Sequence, residues 1–139
     1  MRFLLDTNIL SEAFKRAPEA RVVTWLAQQT QLDLYISVLT IGELTMGIEL
    51  AVLGARRDAL RMWATQELPQ RFAGRLLPIT EAVAREWGRM SAQGRATGRE
   101  LPVTDGLLLA TAHTHDLTFV TRNERDCVDR DVRILNPWR

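Results

Sequence analysis
Short apolar runs alternate along the chain with stretches of helical periodicity, and this alternation predicts an α/β fold. The expected architecture is a central, mainly parallel sheet of about five strands, covered by helices on both faces and joined by right-handed crossovers. Length and composition agree with it. The chain of 139 residues can bury one continuous core and is short for two domains, so residues 1–139 are expected to form a single domain. Hydrophobic residues at 46% and charged residues at 25% are globular proportions, which argue against a disordered or fibrous chain.

The elements follow in order. Arg2-Phe3-Leu4-Leu5 reads as a buried strand halted by the polar tip Asp6-Thr7-Asn8. Two short helices are expected from Ile9 to about Lys15 and from Glu19 to Gln29, the second with Val22, Val23, Trp25 and Leu26 on its apolar face. Leu34 to Val38 is β-branched and aromatic enough for a second strand. Thr40-Ile41-Gly42-Glu43 then opens a helix in the pattern of a capping box, and Gly54 is expected to end it. Arg56 to about Ala73 carries Leu60, Trp63 and Leu68 among charges, the pattern of one amphipathic helix closed by Gly74. Leu76 to Ile79 is a third strand, and Thr80 caps a helix from Glu81 to about Gln93. A Gly/Arg-rich loop over residues 94–99 precedes a helix introduced by Pro102-Val103-Thr104-Asp105. Leu117 to Thr121 and Val132 to Leu135 supply the last two strands.

Charge and cysteine content narrow the function classes. Eighteen basic against 17 acidic residues leave a net charge of +1, far from the excess of a sequence-independent nucleic-acid binder. The distribution is uneven: residues 56–139 hold 14 arginines against 11 acids, while residues 1–55 hold four basic residues against six acids. The single cysteine, Cys127, has no disulfide partner, and no Cys/His spacing suits zinc, which points to a reducing, cytoplasmic setting. Asp6 cuts the first apolar run before a secretory core forms, and no stretch reaches the roughly 18 apolar residues of a membrane span.

The chemistry-bearing residues sit where strands end. Asp6 follows strand one, Glu43 lies in the helix after strand two, Asp105 opens a later helix, and Asn123 and Asp126 follow strand four. In a parallel sheet these positions converge on one edge, where ligands bind. Gathered carboxylates repel one another unless a cation compensates them, so the implied occupant is a hard divalent ion, Mg²⁺ or Mn²⁺, with oxygen ligands. Structural readings stand beside the functional ones. Glu43 could reach back to cap Thr40, Thr104-Asp105 could be an N-cap with a first-turn acid, and Asn123 and Asp126 fit a turn. Asp6 resists this, because a carboxylate straight after an apolar strand needs a partner or a metal. His113, His115 and Cys127 read as structural, and the four tryptophans as core or dimer-surface residues.

Taken together, residues Leu4 to Glu12, Ser37 to Leu44 with Gly47-Ile48, Pro102 to Ala112, Phe119 to Asn123 and the closing Asn136-Pro137-Trp138 resemble the PIN-domain VapC toxins of bacterial toxin–antitoxin pairs, close to the FitB-like subgroup. The resemblance spans essentially the whole chain. It implies a PIN-like three-layer α/β/α sandwich and Mg²⁺-dependent endoribonuclease activity, often on transfer or ribosomal RNA, leaving 5′-phosphate and 3′-hydroxyl ends. It further implies a toxin homodimer held in check by a VapB-like antitoxin. Carried over by position, Asp6, Glu43 and Asp105 are the metal-site acids. Asn123 stands where related sequences carry a fourth acid, so either Asp126 supplies that charge or Asn123 holds a metal-bound water. Thr7, Asn8 and Thr121 would orient the carboxylates, and Arg95, Arg99 and Arg122 are candidates for phosphate contacts.

Three other readings compete. A haloacid-dehalogenase-type phosphotransferase needs an acid two residues after the first, where Asn8 stands, and a receiver domain needs an acidic pair before strand one, where Arg2-Phe3 stands. The third is a catalytically weak or silent PIN module that works by binding RNA, or an antitoxin in an operator complex.

Overall fold
The computed structural model describes residues 1–139. Five strands, β1 (Phe3–Leu5), β2 (Leu34–Ser37), β3 (Leu76–Leu77), β4 (Thr118–Val120) and β5 (Ile134–Leu135), make one sheet in the order β3-β2-β1-β4-β5. Every neighbouring pair is parallel. The helices are α1 (Thr7–Phe14), α2 (Ala20–Ala27), α3 (Val38–Leu50), α4 (Ala55–Met62), α5 (Leu68–Arg71), α6 (Glu81–Ala96) and α7 (Val103–Thr114). None is long and apolar enough to cross a membrane.

β1 shows why the sheet lies in the middle. Its residues are buried in both directions: Phe3 and Leu5 join Leu34, Ile36 and Val120 on one face, and Leu4 joins Phe119 on the other. The first face is covered by Ile9 and Leu10 of α1, Val22 of α2, Leu44 of α3 and Leu68 of α5. The second is covered by Val83 and Met90 of α6 and Leu108, Leu109, Ala110 and Ala112 of α7. This is the three-layer α/β/α sandwich expected from the sequence. Fully buried side chains such as Leu4 and Leu5 each contribute about 2 kcal/mol of apolar transfer, so even three-residue strands are firmly held.

The tryptophans also serve packing. Trp25 meets Phe3 edge-on with ring centres 5.0 Å apart, and Trp63 lies 4.9 Å from Phe14.

Several boundaries differ from the sequence expectation. α3 begins at Val38, because the Ser37 hydroxyl, directly at the strand end, accepts from the Leu39 amide at 3.0 Å and takes the cap from Thr40. α3 stops at Leu50, and Gly54 serves instead as the N-cap of α4. The expected single helix over residues 56–73 is interrupted by a π-turn at Trp63–Glu67. Pro69 accounts for this: it has no N–H for the preceding turn and its ring crowds the carbonyl four residues back, and the wider turn relieves both. α6 runs on to Ala96, so the first half of the expected loop at 94–99 is helical. Thr80 does cap that helix, accepting from the Val83 amide at 3.2 Å.

Arg75 is a structural device that no sequence pattern disclosed. Its guanidinium is almost fully buried and donates to the carbonyls of Gln31, Leu34 and Arg71 while stacking over the Phe72 ring. It thereby ties the start of β2 to the end of α5. Replacing it by Met leaves buried carbonyls without donors, and Arg75→Met is expected to lower unfolding free energy by about 2–4 kcal/mol in urea titrations. A change below about 0.5 kcal/mol would show that the tie is dispensable.

Candidate active site
The sheet order places a functional crevice by topology alone. The chain leaves β1 toward β2 on one side and leaves β4 toward β5 on the other, so the carboxyl ends of neighbouring β1 and β4 flank a topological switch point. Asp6 follows β1 and Thr121 follows β4. The Asp6 amide donates to the Val120 carbonyl at 2.9 Å, which extends the ladder by one step and holds the carboxylate at the rim.

Asp6 is also the N-cap of α1. One of its oxygens accepts from the Thr7 amide at 2.7 Å; the other accepts from the Thr121 hydroxyl at 2.7 Å and the Asn8 amide nitrogen at 3.3 Å. Burial dominates in spite of these donors and raises the Asp6 pKa from 3.8 to about 6. The hydrogen bonds from Thr121 and Thr7 pull it down, and the negative charges of Glu43 and Asp105 push it up further. A carboxylate so placed lacks a compensating positive charge.

Glu43 comes from α3, one turn later than the sequence suggested. Because α3 starts at Val38, Glu43 sits in its second turn and does not reach back to cap Thr40. Its Oε1 accepts from the Thr7 hydroxyl at 2.6 Å, and that hydroxyl lies 3.3 Å from the Thr40 hydroxyl. The capping-box alternative is thereby excluded.

Asp105 stands in the first turn of α7. The helix starts directly after Pro102, whose carbonyl accepts from the Gly106 amide, and Thr104 lies inside it rather than at its cap. Gly106 lets α7 approach α6, since a Cβ there would lie 3.1 Å from the Trp87 indole. The Asp105 pKa is raised, first by burial and then by Glu43 and Asp126. Asp126 enters through Asn123, whose side-chain amide donates to it at 3.1 Å and whose backbone amide donates to the Thr121 hydroxyl at 3.1 Å. Thr121 therefore receives from Asn123 while donating to Asp6.

The expected acidic residues thus share one electrostatic neighbourhood, with Thr7, Asn8 and Thr121 bonded directly to it. No three of the His, Cys, Asp and Glu side chains, as they stand, close around a point that could hold an ion. Three of the four carboxylates instead take neutral donors, Glu43 from Thr7, Asp6 from Thr121 and Asp126 from Asn123, while the part-buried Asp105 takes none. One fully buried acceptor beside them is also unmet, the side-chain oxygen of Asn8. Cys127, also buried nearby, has its thiol pushed up to about 12 by burial and by the charges of Asp6, Asp105 and Asp126, so it stays protonated.

The three expected phosphate-binding arginines are dispersed. Arg95 leans on Glu100 at 3.7 Å, Arg122 lies over the Trp138 ring, and Arg99 donates to the Val128 carbonyl. His113, read as structural, has its ring between the carboxylates of Glu86 and Asp131. On the far side of Glu43, an apolar groove of about 220 Å³ opens between α1, α3 and α4. Phe14, Leu44, Ile48, Leu60 and Trp63 line it, with Thr7 and Glu43 at its edge. No spacing rule foretold this groove, because its walls come from three separate helices.

Residues 3–130 match the PIN domain family. Toxin FitB of Neisseria gonorrhoeae is 37% identical over 97% of this chain and 97% of its own length. A VapC ribonuclease of Sinorhizobium fredii is 32% identical over 97% of this chain and 96% of its own. The crystal structure of FitAcB from Neisseria gonorrhoeae superposes with a TM-score of 0.92 at 37% identity, covering 98% of each chain. The structure of DNA-bound VapBC from Salmonella typhimurium superposes with a TM-score of 0.78 at 25% identity, covering 100% of this chain and 99% of that one. With the sheet order, the rim of carboxylates and these likenesses in agreement, the chain belongs to the PIN-domain family and is a relative of the FitB and VapC toxins.

Proposed function
We propose that this protein, as a single PIN domain, is a divalent-metal-dependent endoribonuclease and the toxin of a toxin–antitoxin pair. The observation that carries the proposal is the gathering of Asp6, Glu43 and Asp105 at the switch point, where burial first, and then the charges of the other two acids, raise the Asp6 pKa to about 6. The donor set fits Mg²⁺ or Mn²⁺: it consists of oxygens, it is short of positive charge, and the Asn8 oxygen beside it has no partner. Asp6, Glu43 and Asp105 would hold the ion, with Asn123 and Asp126 completing the rim. When bound, such an ion lowers the pKa of a water and offsets charge on phosphate oxygens.

The protein's own groups do the positioning. Thr121 and Thr7 fix the two oxygens of Asp6, and Thr7 also aims Glu43, so the carboxylates face the crevice in set orientations. In the hydrolysis, a water oxygen bonds to phosphorus, the bond from phosphorus to O3′ breaks, and the proton count closes with a 3′-hydroxyl and a 5′-phosphate. The Asn123 amide bonded to Asp126 favours one alternative, a weakly active domain that works mainly by binding RNA or its antitoxin.

The groove beside Glu43 supports an antitoxin partner. Beyond it, Met46, Leu50, Val52, Leu53 and Met62 are exposed, an apolar display suited to a covering chain. A segment seated there would reach the mouth of the acidic site. Homodimerisation and a cytoplasmic location complete the proposal; the family resemblance supports the first, and the lone reduced cysteine supports the second.

Purified protein should cut RNA with Mg²⁺ or Mn²⁺ and stop in EDTA, and Asp6→Asn or Asp105→Asn should slow cutting by at least about 100-fold. Wild-type cutting by Asp6→Asn would refute the assignment. Stability gives a second check. The folded-state pKa of Asp6 lies above its unfolded value, so ionising it destabilises the fold as pH rises from about 4 to 6, by about 3 kcal/mol at most. Metal-free Asp6→Asn, less the loss of one acceptor, should therefore be more stable than wild type by about 1–2 kcal/mol at pH 7.5. Thermal melts should show that advantage vanish below about pH 4.5, and added Mn²⁺ should raise the wild-type Tm far more than the variant's. Expression alone should arrest growth, and Asp6→Asn should relieve the arrest; growth curves with equal protein levels test this.

A further inference from the structure
We propose that Arg99 and Arg130 form an anion pocket that takes a phosphate of the RNA strand next to the one being cut. The inference rests on the nuclease reading for its ligand and on separate residues for its geometry. A cavity of about 250 Å³ lies between the end of α6 and the loop after β4, lined by Met90, Gln93, Thr97, Arg99, Asp129 and Arg130. Each guanidinium is tied to the backbone of that loop by one bond: Arg99 Nη2 donates to the Val128 carbonyl at 3.1 Å, and Arg130 Nε donates to the Asp126 carbonyl at 3.3 Å. Neither guanidinium is in an ion pair. Arginines elsewhere, such as Arg57, Arg61, Arg85, Arg89 and Arg133, do pair with acids. Asp129 shares the pocket wall but pairs with neither.

The backbone enforces this meeting of like charges. A Cβ at Gly94 would lie 2.7 Å from the Arg99 carbonyl oxygen and 3.1 Å from Arg130 Nη1, so a glycine is what lets both arginines close on the helix. The Arg99 amide then donates to the Gly94 carbonyl at 2.7 Å. Burial first, and then the charge of Arg99, lower the Arg130 pKa, while the charge of Asp126 pulls it back up. Two guanidinium forks facing one small cavity suit a phosphate oxyanion.

Position supplies the ligand's identity. Arg130 is anchored to the backbone of Asp126, whose carboxylate receives Asn123, and Cys127 feels both Arg130 and the acids Asp6 and Asp105. The pocket therefore adjoins the loop that carries Asn123 and Asp126, on the path of a strand that presents a phosphate to the acidic rim. Arg95 and Arg122, engaged with Glu100 and Trp138, lie outside it.

The test measures binding of a labelled single-stranded RNA to Asp6→Asn protein as a function of KCl. Adding Arg130→Gln or Arg99→Gln should weaken binding about tenfold and make the slope of log K against log salt shallower by about 0.7 per arginine. Arg130→Lys should keep the slope while losing affinity, and Arg85→Gln, on the outer face of α6, should change neither. Melting curves check that each variant is folded, and the lysine variant decides the matter if the glutamine variant is not. An unchanged slope in folded Arg130→Gln, no measurable RNA binding by the Asp6→Asn parent, or inorganic phosphate shifting the Arg130 side-chain NMR signals while RNA binding ignores both arginines would each overturn the proposal. Failure of the nuclease reading would show separately, as undiminished cutting by Asp6→Asn.

Discussion
A carboxylate held at the end of a strand that is buried on both faces is the constraint from which the rest follows. Leu4 and Leu5 are fully covered, and the amide of Asp6 continues the ladder onto Val120, so the backbone that carries the carboxylate is fixed at the rim. The desolvation cost is then borne locally. Thr7, Asn8 and Thr121 surround the group with donors, yet neutral donors do not cancel its charge, and the nearby acids add to the imbalance. The fold stores this electrostatic tension at the one place where its topology opens a crevice.

The loop after β4 organises charge of both signs. Its first residues, Thr121 and Asn123, lead by hydrogen bonds from Asp6 to Asp126, and the backbone of Asp126 receives Arg130. Acids reach one part of this short segment, and two unpaired guanidinium groups, with Asp129 in the same wall, reach another. Such juxtaposition of negative and positive potential suits a polyanion that must be attracted along its length and met by carboxylates at one bond. A net charge of only +1 is compatible with the proposed RNA substrate, because local arrangement, not total charge, supplies the field. On the opposite side of Glu43 the surface becomes apolar, so the same acid borders two chemically distinct neighbours.

Much of this was legible in the residue pattern, for reasons that can be named. Runs such as Phe3-Leu4-Leu5 and Thr118-Phe119-Val120 lack polar alternation because both faces of a parallel strand are covered, and that absence identifies them. Thr80 behaved as a cap because it directly precedes its helix. Errors arose where two local signals competed. Ser37 and Thr40 can both begin a helix, and the end of the strand favoured the nearer one, which carried Glu43 into the second turn and toward Thr7. Pro69 broke a helix whose apolar periodicity runs straight through it. Gly54 marked a beginning rather than an end, since a glycine between two helices reads equally well either way.

From residue order alone came the layer architecture, the strands, and the identity of the acids that meet at the rim, because burial period and strand-end position are local properties. What only tertiary structure decided is which groups answer one another: Thr121 to Asp6, Arg75 to three carbonyls, Arg99 beside Arg130. Those partners are 115 residues apart in the first case and 31 in the last, and they meet through the pairing of β1 with β4 and a close approach at Gly94 respectively. A hydrogen bond or a repulsion across such distances depends on how the chain is folded in space, and no pattern of neighbours along the chain encodes it.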